Sequence, residues 1–478
     1  MKMGDFKISK AFIYRWRYQI GYAVLAIGLI SALIFAGLYL PGGISNQETQ
    51  SVIKSSSINL GNFWTLDAVN LPYHLLQKAS MALFGVSILS IKLPSIILAF
   101  LSVIGLTLLL KNWFKPSVGI LASLIAITTG QFLFIAQNGT PDILYLFWSV
   151  WMILVASLIP LQNKLFRNIF IVVFFVAAAM SLYTPLSIYV ILVITGAIVL
   201  HPHLRYLIKQ LSRVEMIIGF VIVLLLVSPL IVSIIKTPSL GLTMLGIPTV
   251  WPNIWINLAS LSNQYFGFAN PGGTTIITPF FELGSMLLIA LGVYYVFKTK
   301  ATAKSYVVIL WTLCLIPIVI LNPAYTNITF LPLVILLGSG LSGLLSSWYG
   351  LFPRNPYARI GGLIPIVILV TVLVLSGINR YVYGYLYDPD IVPNFSKDIQ
   401  LIPKDTKNIV VSESELPFYN VMSKYNKKLV ISTSPLGNSF LVTHNAKRDF
   451  SGYTLSKIIT SSLSDKSDRF YLYKKLAG

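Results

Sequence analysis

Glu48, Asp142 and Lys92 are ionisable residues at the edges of apolar runs, in a chain where charge is scarce. Glu48 lies in "LYLPGGISNQETQ", just beyond the first such run. A carboxylate there could take a proton from a hydroxyl nucleophile, and the same position also suits an ordinary solvated loop acid. Asp142 lies in "AQNGTPDILYLFW", a short turn between two apolar runs. It is a second acid of that kind, or a residue that favours the dipole of the helix it starts. Lys92, in "SILSIKLPSIIL", is costly among apolar neighbours unless it snorkels or pairs. Paired with a phosphate, it would neutralise charge building on a leaving group. His74, in "LPYHLL", could ligate a metal or pass a proton, but no companion His or Cys stands at ligand spacing.

The elements that must hold these residues follow from composition. Of 478 residues, 56% are hydrophobic and 10% charged, which marks a polytopic membrane protein. The formal charge of +20 does not point to nucleic acid, because the basic residues sit in short turns between apolar segments. Cys314 is the sole cysteine, so no intrachain disulfide forms. The run Tyr18 to Leu40 is too long for a signal-peptide core and should stay as an anchor.

At about 20 apolar residues per crossing, the pattern predicts about eleven spans: 18–40, 91–110, 117–136, 143–161, 167–183, 186–201, 214–235, 280–297, 305–321, 328–346 and 360–379. Alternate connections collect the basic residues, among them Arg15, Lys111, Lys164, Arg205, Lys300 and Arg354. By the positive-inside rule that set is cytoplasmic, and Glu48, Asp67, Asp142 and Glu282 face outward. The N-terminus is then cytoplasmic and the C-terminus extracytoplasmic.

Two outward loops are long, 41–90 and 236–280. The first carries apolar helix-like pieces fit to lie in the interface. The second carries Trp251, Trp255, Tyr265 and Phe266, which suit an aromatic belt or a sugar face. Past residue 380 the composition changes and charges of both signs appear. "KNIVVSES", "KKLVISTS" and "DRFYLYKK" predict strands; "SELPFYNVMSKY" and "YTLSKIITSSL" predict helices. The expected architecture is an all-α membrane domain, 1–380, and a small extracytoplasmic α/β domain, 381–478. Asn138 and Asn327 match N-x-[ST], but their turns hug the membrane and carry no argument.

The order of these pieces resembles the GT-C superfamily of membrane glycosyltransferases, and within it the protein O-mannosyltransferase and aminoarabinose-transferase branch. Gln47-Glu48 falls where those families place Asp-Glu, and Leu71-Pro72-Tyr73 at their Pro-rich stretch. Leu83-Phe84-Gly85 falls at "LFG", Lys92-Leu93-Pro94-Ser95 at a basic-x-Pro-Ser, and Asp142 at the acid of the second loop. "NPAYTNITFLPLVILLGSG" is similar to the late "Y…LP" helix. The resemblance is densest over 1–200 and departs at Gln47, where the usually catalytic Asp is replaced, and at Leu71. It implies transfer of a sugar from a polyprenyl-phosphate donor to a hydroxyl of a lipid, glycan or protein, with inversion, at the outer face of the membrane. Glu48 and Asp142 are then the catalytic candidates, and Lys92, Tyr73, His74, Gln47 and Tyr183 the substrate-binding ones. No ligand set for a divalent metal stands out. The competing readings are a transporter or lipid flippase, disfavoured because span interiors are nearly free of charge, and a GT-C homologue altered to a binding role.

Overall fold

Serine sets two helix starts between residues 41 and 90. Ser45 and Glu48 form a reciprocal capping box, which opens α1 (Asn46–Ser57). After α2 (Leu71–Phe84), Ser87 and Ser90 do the same for α3 (Ile88–Trp113). At 26 residues α3 is about 39 Å long, enough to cross a bilayer core. A computed structural model of the chain describes residues 43–59, 61, 67–266, 281–351, 361, 363–387, 399–426, 428–460 and 469–476, with isolated positions between 16 and 31.

The chain continues through α4 (Pro116–Thr128), α5 (Gly130–Gln137), α6 (Ile143–Leu158), α7 (Lys164–Ser181), α8 (Ile188–Leu200), α9 (Pro202–Lys209) and α10 (Arg213–Lys236). Then follow α11 (Pro238–Leu245), α12 (Ile254–Phe266), α13 (Leu283–Lys298), α14 (Ala303–Leu321), α15 (Phe330–Leu351) and α16 (Leu363–Tyr387). Among the described residues six helices are long and apolar enough to cross a membrane, or eight spans if each of two bent pairs is one. The expected spans 167–183 and 280–297 correspond to shorter apolar helices, Leu165–Ser181 and Leu283–Lys298. The expected span 18–40 lies largely outside the described residues, as do Arg354 and the stretch 267–280.

Both bends have local causes. Between α4 and α5 the axis turns by 65°. Thr129 there is extended (φ −63°, ψ 142°), and its hydroxyl accepts the Phe132 N–H to restart the helix. Between α8 and α9 it turns by 96°, at His201-Pro202, because proline disfavours helical backbone in the residue before it.

Where α13 and α15 cross, glycine lets the two backbones touch. A β-carbon on Gly292 would lie 1.9 Å from the Leu336 carbonyl oxygen, and one on Gly340 2.0 Å from that of Leu288. Such small-residue contacts substitute for a hydrophobic drive between helices in lipid. In the segment after α11, Trp251, Trp255 and Phe266 are exposed, while the Tyr265 hydroxyl meets Thr329 at 2.6 Å.

The C-terminal part is a five-stranded sheet of order β2-β1-β3-β5-β4. Its strands are β1 (Asn408–Val410), β2 (Val430–Ser432), β3 (Ser439–Thr443), β4 (Tyr453–Ile459) and β5 (Phe470–Lys475), with α17 (Leu416–Tyr425) crossing between the parallel pair β1 and β2. The helix expected over "YTLSKIITSSL" is instead strand β4, antiparallel to β5 with a bulge between Leu455 and Lys457. It is an edge strand whose Thr454, Ile458 and Ile459 carry the β-branching that favours strands. One continuous apolar cluster joins this sheet to α1, α2 and the start of α3: Ile409, Phe418, Leu441 and Phe470 pack with Val52, Met81, Ile88 and Ile91. Lys424 Nζ adds a bond of 3.2 Å to the Ser56 carbonyl. The sheet therefore braces α1.

Replacing Gly340 by Val should force α13 and α15 apart at a cost of about 1–3 kcal/mol. Thermal unfolding in detergent should show a clear drop for Gly340→Val, and an unchanged midpoint would contradict the backbone contact.

Candidate functional site

Pro94 sits inside α3 and has no N–H to give to the Ser90 carbonyl one turn back. Helix α2 fills that gap. Ser80 Oγ donates to Ser90 O at 2.7 Å, and Gln77 Nε2 donates to Ile91 O at 3.1 Å. The other hydrogen of the same amide goes to Gly139 O at 3.0 Å, in the turn that joins α5 to α6. Ser95 holds that turn as well, donating to Asn138 O at 2.6 Å. Its single hydrogen being spent, it accepts from the Tyr73 hydroxyl at 2.8 Å.

Glu48 closes this assembly from α1. Its Oε1 accepts the Gly139 N–H at 2.7 Å and lies 3.6 Å from Lys92 Nζ, while Oε2 accepts the Ser45 N–H at 2.7 Å. Glu48 is fully buried and Lys92 is 3% exposed. Gly139 has to be glycine, since a β-carbon would come within 2.7 Å of Ile91 and 3.1 Å of the Glu48 carboxylate. Glu48 thus ties α1, α3 and the 138–142 turn at one point, with both oxygens occupied.

In front of this wall lies a hollow of about 420 Å³. Gln47, Gln50 and Lys54 line it from α1, His74 from α2, and Asn70 and Asp142 from the adjoining turns. Asp142 is exposed to the hollow, and neighbouring protein takes part of the water from its carboxyl group. That loss of bulk water raises its pKa above the ordinary carboxylate value, and the Thr140 hydroxyl, 2.7 Å from Oδ2, opposes the rise. Burial, with Lys54 adding to it and Asp67 opposing, lowers the His74 pKa to about 4, so the imidazole is neutral. Lys54 pairs with Asp67 at 3.8 Å, both more than half exposed, a contact worth only ~0–1 kcal/mol. Burial raises the Tyr73 phenol far above its usual value, and the charges of Glu48 and Asp142 add to it.

Of the residues singled out in the sequence, Gln47, His74 and Asp142 line the hollow. Glu48, Lys92 and Tyr73 form the wall behind it. Tyr183 stands apart: its hydroxyl donates to Leu226 O at 2.7 Å, and its carbonyl, 2.8 Å from the Asn70 N–H, accepts from a lining residue. Sequence reasoning missed Gln77, Ser51, Ser55 and Lys54. A usable signal existed in α1, whose buried Glu48, Ser51, Val52 and Ser55 recur at helical spacing. Among the described residues no three His, Cys, Asp or Glu side chains gather as a metal-ion site.

Removing Lys92 while keeping Glu48 leaves a buried charge uncompensated. Lys92→Met should destabilise by roughly 3–5 kcal/mol, and the Glu48→Gln/Lys92→Met pair by less than the sum of the single changes, as read by thermal unfolding. Additive costs would contradict the pairing. His74 is neutral in the fold, whereas the unfolded chain takes up its proton below about pH 6.5. Its contribution is complete above pH 6.5 and lost as pH falls towards 4. In thermal melts at those two pH values, His74→Asn should therefore lose less stability on acidification than the unaltered chain.

Residues 71–232 match a family model described as dolichyl-phosphate-mannose-protein mannosyltransferase. No curated protein matches the chain in sequence. Among solved structures, the Archaeoglobus fulgidus oligosaccharyltransferase tethered to an acceptor peptide is similar with a TM-score of 0.57 at 12% identity, over 87% of this chain and 64% of that one. The chain thus spans just under two thirds of that enzyme's length. ArnT from Cupriavidus metallidurans, bound to undecaprenyl phosphate, is similar with a TM-score of 0.51 at 10% identity, over 96% of this chain and 98% of that one. The chain is a multi-pass membrane protein with the fold of the GT-C glycosyltransferases, and its segment 71–232 carries the sequence pattern of their protein-mannosyltransferase family.

Proposed function

We propose that this protein transfers a sugar from a polyprenyl-phosphate donor to a hydroxyl-bearing acceptor at the extracytoplasmic face of the membrane. The observation that carries this reading is Asp142, a carboxylate of raised pKa facing a hollow whose other polar lining groups are amides, two hydroxyls, a neutral imidazole and one lysine. The neighbour with undecaprenyl phosphate and the neighbour with an acceptor peptide support a lipid-linked donor and a separate acceptor. In this reading residues 1–380 form the transferase domain, with a cytoplasmic N-terminus, and 381–478 an extracytoplasmic domain that braces α1.

The proposed step is a single displacement. The acceptor oxygen attacks the anomeric carbon while its proton passes to Asp142 Oδ. The bond from that carbon to the phosphate oxygen breaks, polyprenyl phosphate leaves, and the anomeric centre inverts. Lys54 lines the hollow and offsets charge on the departing phosphate. Lys92, behind the wall on Glu48, acts through position only. A raised pKa suits a base, because proton affinity then approaches the working pH. Glu48 serves as a positioning residue for α1 and the turn that carries Asp142. Gln47 lines the hollow with no ionisable group, which favours one second reading: donor binding without turnover.

Purified protein given a labelled polyprenyl-phosphate sugar and extracted envelope separates the two readings. Transfer should fall about 10²–10⁴-fold in Asp142→Asn with the melting midpoint unchanged. A base must be ionised, so activity should fall as pH drops through a pKa above the ordinary carboxylate value. Retention of donor with no transfer by the unaltered protein would support the second reading. Full activity in Asp142→Asn would end the first.

A further inference from the structure

Gln77 is fully buried, and its amide orientation is fixed by what surrounds it. Both amide hydrogens meet backbone carbonyls, those of Ile91 at 3.1 Å and Gly139 at 3.0 Å. Carbonyls only accept, so the nitrogen must face them and Oε1 must face α1. There Oε1 receives two hydroxyls, Ser51 at 2.8 Å and Ser55 at 2.6 Å. Ser55 has then spent its only hydrogen, and its contact of 2.8 Å with His74 Nδ1 can form in one sense alone. The imidazole N–H donates and the Ser55 oxygen accepts. A neutral imidazole with its proton on Nδ1 has a bare lone pair on Nε2. Among the described residues Nε2 has no hydrogen-bond partner and is not sealed from solvent, and His74 lines the hollow.

We infer that Gln77 is a positioning residue that locks His74 in its Nδ1–H form, so that His74 Nε2 accepts a hydrogen bond from a hydroxyl of the sugar. The assignment of that hydroxyl to a sugar rests on the proposed transferase reading; the tautomer does not. The chain of direction runs from two backbone carbonyls through one amide and one hydroxyl to the ring. No step in it depends on charge. A hollow lined by amides and an accepting imidazole recognises hydroxyl groups, since each lining group needs a partner of opposite sense. A neutral ring whose proton pointed into the hollow would repel the same hydroxyl hydrogen.

Two measurements test this. With only 4 histidines in the chain, ¹⁵N-histidine labelling gives few signals, and the spectrum of His74→Asn identifies those of residue 74. In the unaltered protein the His74 Nδ1 signal should be pyrrole-like and the Nε2 signal pyridine-like. Ser55→Ala removes the acceptor and should shift population towards the Nε2–H form. A pyrrole-like Nε2 in the unaltered protein overturns the inference. The second measurement is retention of labelled polyprenyl-phosphate sugar. Gln places an acceptor oxygen near the Nε2 position, whereas Asn places one near Nδ1. His74→Asn should weaken donor binding about tenfold relative to His74→Gln, the size of one buried hydrogen bond. Equal losses in the two variants overturn the assigned contact. If the unaltered protein retains no donor, the transferase reading and the assigned sugar contact both fail, and the ¹⁵N signals still decide the tautomer.

Discussion

A carboxylate with no access to water is stable only where positive charge and N–H groups replace its hydration, and that constraint sits at the centre of this protein. Glu48 meets it with the Lys92 ammonium and with the N–H groups of Gly139 and Ser45. Each partner belongs to a different piece of chain, so satisfying one carboxylate fixes three backbones against each other. The start of α1, the upper part of α3 and the turn before α6 are positioned together. Asp142, three residues past Gly139, inherits its place from this knot. The apolar cluster shared with the C-terminal sheet then packs against α1 through Val52. The sheet bears on the hollow through the helix it supports.

Division of labour between the two acids follows from their surroundings. Both oxygens of Glu48 are engaged and the residue is fully buried behind the wall, so it does not face a substrate in the hollow. Asp142 has one neighbouring hydroxyl and faces open volume. The lysines divide in the same way, with Lys92 committed to the wall and Lys54 facing the hollow through a weak surface pair. Pro94 contributes to the arrangement, because the Ser90 carbonyl that it leaves without a helical donor is the one that Ser80 takes up.

Much of the scaffold was legible in the sequence, since a bilayer imposes a length of apolar chain that composition alone reveals. The ten expected spans after the first each coincide with a helix or a bent helix pair. The bends were not legible, because one extended residue at Thr129 breaks a helix without changing its apolar character. The sequence of strand β4 reads as a helix, its alternation being blurred by a bulge on an exposed edge. At the site the identities of the acids were readable and their roles were not. The Ser45-x-x-Glu48 spacing of a capping box hinted that Glu48 was engaged, but pairing with Lys92 is a tertiary fact. Gln77 carries no charge and no motif, so nothing in the sequence marked it.

In the proposed reaction Asp142 and Lys54 face the substrate while Glu48 and Lys92 stand behind the wall. An experimental structure with a polyprenyl-phosphate sugar bound tests this most directly. It should place the anomeric carbon beside the Asp142 carboxyl and the phosphate beside Lys54, with the Glu48–Lys92 pair intact. A phosphate seated on Lys92 with that pair broken, or a donor bound away from the hollow, would contradict it.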